Sequence, residues 1–202
     1  MSYMTLYGFD TAGNIHEIAT FDNSWRFAPT IWGKLEAVYL PPHIPAYIKE
    51  LPWYHEGITI EAIRGHHISL SRVLCMCEEN AMKQIWDLFD DPKVSREHRI
   101  LLGSTFDYAV VRTEELPELT AAFRTSELAL PQEMADVLDA HKDEYIAFAW
   151  EASLFAGCSW MCLGPVDDDG NGTPYNLLAG NEHFFLFDDL NGKETASDHT
   201  EL

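Results

Sequence analysis

The chain has 202 residues, 47% of them hydrophobic and 23% charged, and this composition excludes an intrinsically disordered protein. It contains 33 Asp and Glu against 13 Lys and Arg, a formal net charge of −20, which disfavours direct binding to nucleic acid or to an anionic membrane. Four cysteines are too few for a disulfide scaffold in a chain of this length.

The amino-terminal residues contain no basic segment followed by an apolar run, and no stretch reaches the roughly 18 apolar residues of a membrane-spanning helix. We therefore expect a cytoplasmic protein whose thiols are reduced.

The first forty residues predict a β-hairpin followed by a helix. Residues 4–8 and 14–21 form two strand-like runs, joined by Asp10-Thr11-Ala12-Gly13-Asn14, whose Gly and Asn suit a turn. Residues 29–38 have apolar side chains at one-face helical spacing, with Pro29 suited to a first turn.

The middle of the chain predicts mixed structure. Residues 43–67 are rich in Pro and Gly and indicate a loop with a short helix, then a strand at 58–63. Residues 69–90 carry one apolar stripe and predict a helix, and the aliphatic runs at 99–102 and 108–111 predict a second strand pair.

The second half predicts two helices, two strands and a tail. Thr113 precedes an acid-rich helix start, and Pro131 opens a further short helix. Residues 145–154 alternate with a period of two, which favours a strand, although a helix as far as residue 154 is the alternative. Residues 184–187 predict a late strand.

The fold class that these elements predict is α+β. Strand pairs and helices are mixed without a regular βαβ rhythm, which indicates a mainly antiparallel sheet. We expect a single compact domain over residues 1–190, with the sheet packed against three to four helices, and a mobile acidic tail over residues 191–202.

The stretch from Val166 to Thr173, VDDDGNGT, resembles the first half of a calcium loop. Asp167, Asp169 and Asn171 fall in register with the first three ligand positions of such a loop. The position of its bidentate Glu is held by Leu178, and the Gly and Asn residues suit a tight turn. We therefore expect a turn, with a weak calcium site as an alternative and no cofactor.

Other groups of potential metal ligands are incomplete. Cys75 and Cys77 lie in a periodic helix, where residues two apart point to different faces, so a zinc site with Cys158 and Cys162 is disfavoured. An enzymatic alternative, a metal-dependent hydrolase, would draw on a histidine centre. Its candidate residues are His66, His67, His98 and Asp107.

The excess negative charge lies in the second half of the chain. Residues 101–202 carry 20 acidic against 4 basic residues. Such a charge attracts basic surfaces and accelerates encounter with them. The acidic residues that we expect to contact a partner are Glu114, Glu115, Glu118, Glu133, Asp136, Asp139, Asp143 and Glu144.

Two neighbouring aromatic residues, Trp53 and Tyr54, follow Pro52 in a predicted loop. Aromatic residues in exposed loops are enriched at protein interfaces, so we add both to the partner-binding candidates. The alternative is a loop that packs over the core.

These patterns favour a non-enzymatic intracellular protein whose acidic carboxy-terminal half binds a basic surface of a partner protein. If that surface binds nucleic acid, the carboxylates would occupy the place of phosphates, and the protein would act as a nucleic-acid mimic and inhibitor. In size and charge the chain is similar to anti-defence proteins of phages and plasmids and to immunity proteins, a likeness of composition alone.

Overall fold

The computed structural model describes residues 3–22, 27–40, 46–55, 57–58, 62, 81–151 and 160–197, and its elements confirm a single α+β domain with a mainly antiparallel sheet. The strands are β1 (Tyr3–Phe9), β2 (Ile15–Asp22), β3 (Ala109–Arg112), β4 (Ala147–Trp150) and β5 (Phe184–Phe185). The helices are α1 (Ala28–Tyr39), α2 (Ala46–Lys49), α3 (Ala81–Trp86), α4 (Arg96–Gly103), α5 (Leu116–Thr125), α6 (Ala129–His141) and α7 (Leu186–Ser197). Short 3-10 turns span Asp87–Phe89, Thr113–Glu115 and Trp160–Cys162.

The five strands form one sheet in the order β2-β1-β4-β3-β5. Strand β4 lies at its centre and is antiparallel to β1 on one side and to β3 on the other. The predicted hairpin is confirmed as β1 and β2, which pair antiparallel, while β5 is parallel to β3. The sheet therefore places β1, from the amino-terminal hairpin, beside the central strand β4, while the late strand β5 lies at the edge next to β3.

Helices cover one face of the sheet. Alternate residues of the strands point towards them, because successive side chains of a strand lie on opposite faces. The apolar side chains of α1, α4, α5, α6 and α7 meet these strand residues in the larger core. Its fully buried members include Leu6, Ile31, Phe123, Leu138, Phe148 and Leu190.

The segment between β4 and β5 covers the other face. Trp160 and Tyr175 are almost fully buried there, with ring centroids 5.0 Å apart, and both rings contact Phe9 of β1 edge to face. Leu177 completes this second core over the small residues of β4. Such aromatic pairs add to the free energy gained by burying their area.

The prediction of a strand at residues 99–102 is wrong, because this run lies in helix α4. The hydroxyl of Ser95 accepts a hydrogen bond from the backbone N–H of His98 and caps the helix, and Glu97 complements the helix dipole in the first turn. A short aliphatic run fits a strand or a buried helical turn equally, and the cap decides between them.

The carboxy-terminal strand is shorter than predicted. Residues 184–187 were expected to form a strand, but β5 ends at Phe185 and α7 begins at Leu186. Helix α7 runs to Ser197 and so enters the segment predicted as a tail from residue 191. Helices α4 and α7 were not predicted, and the described residues therefore contain more helices than the three to four expected.

Several predicted elements agree with the structure. Helix α1 contains the predicted residues 29–38, β3 and β4 overlap the predicted strands, and α5 and α6 fall where helices were expected. The 69–90 helix is described only from residue 81, as α3 and the following 3-10 turn. The predicted strand at 58–63 lies largely outside the described residues. Among the described helices, none has the length and apolar character needed to cross a membrane.

The ring of Tyr145 covers Gly8 in β1, so that an added Cβ at Gly8 would lie 2.5 Å from the ring. We expect Gly8→Ala to lower the free energy of unfolding by about 1–3 kcal/mol, because the ring and strand must separate. Gly33→Ala, inside α1 with nothing within 4 Å of the added Cβ, is expected to raise it by about 0.5–1 kcal/mol. Urea denaturation measures both effects. Equal stability of the two variants would contradict this packing.

Candidate functional site

Helices α5 and α6, with the residues that flank them, carry all eight acidic residues predicted to contact a partner. The two helices pack together through apolar faces that bury Leu119 and Phe123 on α5 and Met134 and Leu138 on α6. Between the helices Glu127 adopts a φ of 58°, a left-handed conformation that ends α5 and lets the chain reverse. The opposite faces of this helical hairpin are turned towards solvent.

Arg112, at the end of β3, holds two carboxylates at the start of the helical hairpin. Its Nη1 donates to Glu115 Oε1 and Asp188 Oδ1, both at 2.9 Å, and its Nη2 donates to Asp188 Oδ2 at 2.6 Å. The guanidinium carbon lies 3.7 Å from the centroid of the Phe185 ring. The backbone N–H of Arg112 also donates to Glu115 Oε2 at 2.7 Å. Arg112 therefore ties β3 to both the helical hairpin and α7.

These contacts shift the pKa of both charged partners. The hydrogen bonds to Asp188 raise the pKa of the Arg112 guanidinium, with a further contribution from Glu115, and the same bonds lower the pKa of Asp188. Glu115 thus helps to hold the start of the helical hairpin against β3. Its neighbour Glu114 has no such contact with Arg112.

Two further arginines bind acidic residues of the helical hairpin. Arg96 on α4 donates to Glu118 with its Nε 2.6 Å from Oε1, which joins α4 to α5. Arg124 on α5 donates to Asp139 at 2.7 Å and to Asp136 at 3.0 Å, which joins α5 to α6. The hydrogen bonds from Arg124, that to Asp139 first, raise the pKa of Arg124. Four of the predicted carboxylates are therefore partly neutralised within the chain.

The remaining acidic candidates have no arginine or lysine partner among the described residues. Glu114, Glu133 and Asp143 are exposed and form no ion pair or hydrogen bond through their carboxylates within that part of the chain. Glu144 has Oε1 3.2 Å from Nδ1 of His141. We call Glu114, Glu133 and Asp143 the unpaired carboxylates. Among the eight predicted contact residues, they are the ones whose charge no described residue neutralises.

Trp53 and Tyr54, the two aromatic residues predicted to contact a partner, lie beside a small apolar cluster. Both are half-buried and pack, together with Leu51 and Ile58, against the fully buried Ile48. This arrangement favours the alternative in which the loop packs on its own apolar cluster.

The stretch from Asp167 to Asn171 forms a tight turn. Oδ1 of Asp167 accepts the backbone N–H groups of Asp169 at 3.0 Å and Asn171 at 2.8 Å, and Gly170 has a φ of 86°. These hydrogen bonds, that from the Asn171 backbone first, lower the pKa of Asp167. The turn expected at this stretch is thus formed, and the carboxylate of Asp167 accepts hydrogen bonds from the backbone of its own turn.

The amino-terminal hairpin contains the same turn. Asp10 Oδ1 accepts the backbone N–H groups of Ala12 and Asn14, both at 2.9 Å, and Gly13 has a φ of 82°. In both turns the first residue is Asp, the fourth is Gly and the fifth is Asn, and the Asn side chain lies 3.3 Å from the second Asp oxygen. The sequence pattern D-x-x-G-N therefore predicts this turn, and it occurs twice.

The first of these turns has a histidine that the second lacks. His16 Nε2 lies 3.0 Å from Asp10 Oδ2, and its ring stacks at a tilt against Tyr145. The hydrogen bond from His16, followed by that from the Asn14 backbone, lowers the pKa of Asp10 to about 2. The turn at Asp10 is thereby stabilised by one contact more than the turn at Asp167.

The histidine centre of the enzymatic alternative is not assembled by the residues that are described. Nδ1 of His98 lies 2.7 Å from the hydroxyl of Tyr39, which joins α4 to α1. Asp107 is half-buried between α4 and β3, and His66 and His67 lie outside the described residues. Across the described ranges no three His, Cys, Asp or Glu side chains are grouped to hold a metal ion.

The four-cysteine zinc site also involves residues that are not described. Cys75, Cys77 and Cys158 lie outside the described ranges, and of Cys162 only the backbone, in the 3-10 turn Trp160–Cys162, is described.

A polar group that the sequence did not indicate lies in the second core. The hydroxyl of Tyr7 donates to Glu151 Oε1 at 3.2 Å, and the hydroxyl of Tyr175 is hydrogen-bonded with Nδ1 of His183. Burial raises the pKa of both tyrosines, with Glu151 adding to the effect at Tyr7. Both phenols, protonated at neutral pH as ordinary tyrosines are, act as hydrogen-bond partners in the core.

Sequence reasoning identified the acidic residues but missed the arginines that organise them. The spacing of Arg112 and Glu115, three residues apart at a helix start, is a signal that could have been used. The contacts of Arg112 with Asp188 and of Arg96 with Glu118 join residues far apart in the chain, and no local pattern indicates them.

No protein-family model, no curated protein and no solved structure matches this chain at a significant level.

The contacts of Arg112 and Arg124 predict different losses of stability. Arg112→Ala removes a ring contact and hydrogen bonds to two carboxylates, one of them mostly buried, so we expect a loss of about 1–3 kcal/mol. Arg124→Ala removes two carboxylate contacts on an exposed surface, so we expect about 0–1 kcal/mol. Chemical denaturation of the two variants provides the comparison, and a larger loss for Arg124→Ala would show that Arg112 is not the main tie.

The two D-x-x-G-N turns predict a selective change on removing His16. His16→Ala should raise the pKa of Asp10 from about 2 towards the ordinary value of about 3.9. The pKa of Asp167 should not change, because its turn contains no such histidine. Because the folded pKa of Asp10 is depressed, its stabilising effect is full above its ordinary pKa and is lost as pH falls through about 2. NMR titration of the carboxyl carbons measures both groups, and an unchanged Asp10 would contradict the role of His16.

Proposed function

We propose that this protein is a non-enzymatic binding protein whose acidic helical hairpin binds a basic surface of a partner protein. The contact residues are the unpaired carboxylates, Glu114, Glu133 and Asp143, with Asp136, Asp139 and Glu144 beside them. Asp136 and Asp139, which are bound by Arg124, and Glu144, which lies near His141, contribute to the negative potential, whereas Glu115 and Glu118 mainly hold the helices.

The observation that supports the proposal most directly is the unequal pairing of charge on the helical hairpin. Residues 112–144 contain nine acidic and three basic residues, and both arginines in this segment are already bound to carboxylates of the same chain. A basic partner would therefore meet carboxylates that form no other ion pair. Such groups accelerate association more than they increase affinity.

A partner whose basic surface normally binds nucleic acid fits these groups well. Carboxylates fixed on rigid helices offer anionic oxygens to arginine and lysine side chains, as phosphates do. A protein that occupies that surface would exclude nucleic acid from it by competition. The proposed biochemical effect is thus inhibition of a nucleic-acid-binding protein.

The test is a charge reversal confined to the unpaired carboxylates. The triple variant Glu114→Lys, Glu133→Lys and Asp143→Lys leaves Glu115 and Glu118 in place, so that the contacts of Arg112 and Arg96 are kept. A matched control, Asp168→Lys, Asp169→Lys and Glu182→Lys, makes the same change in net charge at exposed positions of the segment between β4 and β5. Circular dichroism establishes that both variants are folded.

The wild type and the two variants are immobilised at low salt and exposed to lysate, and the proteins retained by each are compared. A partner of the helical hairpin is retained by the wild type and the control and lost by the first variant. With that partner purified, we expect the first variant to associate roughly tenfold or more slowly, with a flatter salt dependence. Equal losses for both variants would mean that net charge alone acts, and unaltered binding of the first would exclude this surface.

A further inference from the structure

Asn171, the last residue of the second D-x-x-G-N turn, is exposed to solvent and is followed by Gly172. Gly172 lies opposite Val166, and the hydrogen bonds on either side of this pair run from Asp167 N to Asn171 O and from Thr173 N to Pro165 O. Gly172 is thus in a non-hydrogen-bonded pair, and its own N–H points away from the partner segment. No described residue accepts a hydrogen bond from this nitrogen.

We propose that Asn171 is a site of spontaneous deamidation, a modification that goes beyond the proposed partner binding and does not depend on it. The Gly172 nitrogen, after losing its proton to hydroxide, forms a bond to Cγ of Asn171, and Nδ2 leaves as ammonia. The resulting five-membered succinimide then takes up one water at either carbonyl and opens to aspartate or isoaspartate. Water is the only co-reactant, and no oxidant or reductant is needed.

The residue after each asparagine decides how closely the nitrogen can approach. Asn14 occupies the same place in the first turn and has the corresponding hydrogen bonds to its Asp, while its Oδ1 also accepts a hydrogen bond from Asn176. Ile15 follows it, and a β-branched side chain hinders attack by its own backbone nitrogen. Glycine has no side chain to hinder attack and reaches backbone conformations closed to other residues. The two turns therefore compare the effect of the following residue within one molecule.

A second internal comparison holds the dipeptide constant. Asn191 and Gly192 have the same sequence as Asn171 and Gly172, but they lie in helix α7. Helical dihedral angles fix the backbone of both residues in a conformation where the nitrogen cannot reach Cγ of the asparagine. The structure therefore distinguishes two Asn-Gly pairs that the sequence does not.

Deamidation at Asn171 would change the turn that contains it. The side-chain donor to Asp167 Oδ2 would be lost, and a second carboxylate would stand where Nδ2 now lies 3.3 Å from that oxygen. Like charges at such a distance disfavour the ionised pair. Isoaspartate also adds a methylene to the backbone, which displaces the carbonyl that accepts from Asp167 N. Either product opens the turn.

The experiment is a timed incubation of the full chain in mildly alkaline buffer, followed by peptide mapping with mass spectrometry that separates aspartate from isoaspartate. We expect the amide of Asn171 to be lost progressively, with both products formed, while Asn14 and Asn191 keep their amides over the same period. Loss at Asn14 or Asn191 as fast as at Asn171 would overturn the inference, as would retention of all three amides.

Two variants separate the chemistry from its structural effect. Gly172→Ala adds only a methyl group at a residue whose φ is not positive, and it should strongly slow the loss at Asn171; an unchanged rate would contradict attack by this nitrogen. Asn171→Asp reproduces one product directly. In this variant, hydrogen exchange at the backbone amides of residues 169 and 171 should be faster than in the wild type. Equal protection of these amides would contradict the expected opening of the turn.

Discussion

Burial of strand β4 on both faces is the constraint on which the rest of this structure depends. All four residues from Ala147 to Trp150 are buried, so each face of the sheet needs its own apolar cover. Trp150 connects the two covers directly. Its indole Nε1 donates to the carbonyl of Ser104 at 2.9 Å on the helical side, and its carbonyl accepts from Trp160 Nε1 at 3.0 Å on the other side. Because a buried polar group without a partner is costly, these two bonds fix how both layers sit on the sheet.

Three arginines lie where elements of the structure meet. Arg112 joins β3 to α7, and Arg124 joins α5 to α6, while Arg96 from α4 reaches across to α5. These three arginines thus form ion pairs between elements, while carboxylates such as that of Glu133 remain exposed. The negative potential at the surface therefore depends on which carboxylates these arginines bind, as well as on the acidic composition of the chain.

The sequence predicted those strands and helices whose signal lies in a short local pattern. The alternation of Ile146, Phe148 and Trp150 indicated a strand, and the Gly and Asn of the first turn indicated the hairpin. The strand expected at residues 99–102 is wrong because the capping hydrogen bond that His98 N–H donates to Ser95 outweighs the strand preference of an aliphatic run. The carboxy-terminal helix was missed because four aromatic and aliphatic residues were read together, although the chain turns into a helix after Phe185.

The candidate site was predictable in its composition and not in its organisation. Counting charges located the helical hairpin, but only the three-dimensional contacts separate Glu114 and Glu133 from Glu118, which is engaged by Arg96. That distinction needs the position of a residue on another helix. The two D-x-x-G-N turns are the opposite case, because a five-residue pattern is sufficient to specify the same hydrogen bonds in both places.

The order of the strands also determines when the sheet can form as the protein is synthesised. Strands β1 and β2 leave the ribosome first, but the inner neighbour of β1 is β4, with Leu6 opposite Trp150. A two-stranded hairpin is at best marginally stable alone, so β1 keeps an open edge until β4, which ends at Trp150, has been made. Contacts of such large sequence separation slow folding and expose unpaired edges to other chains. We therefore expect the sheet to form only after β4 has emerged, with β1 unpaired on its inner edge until then.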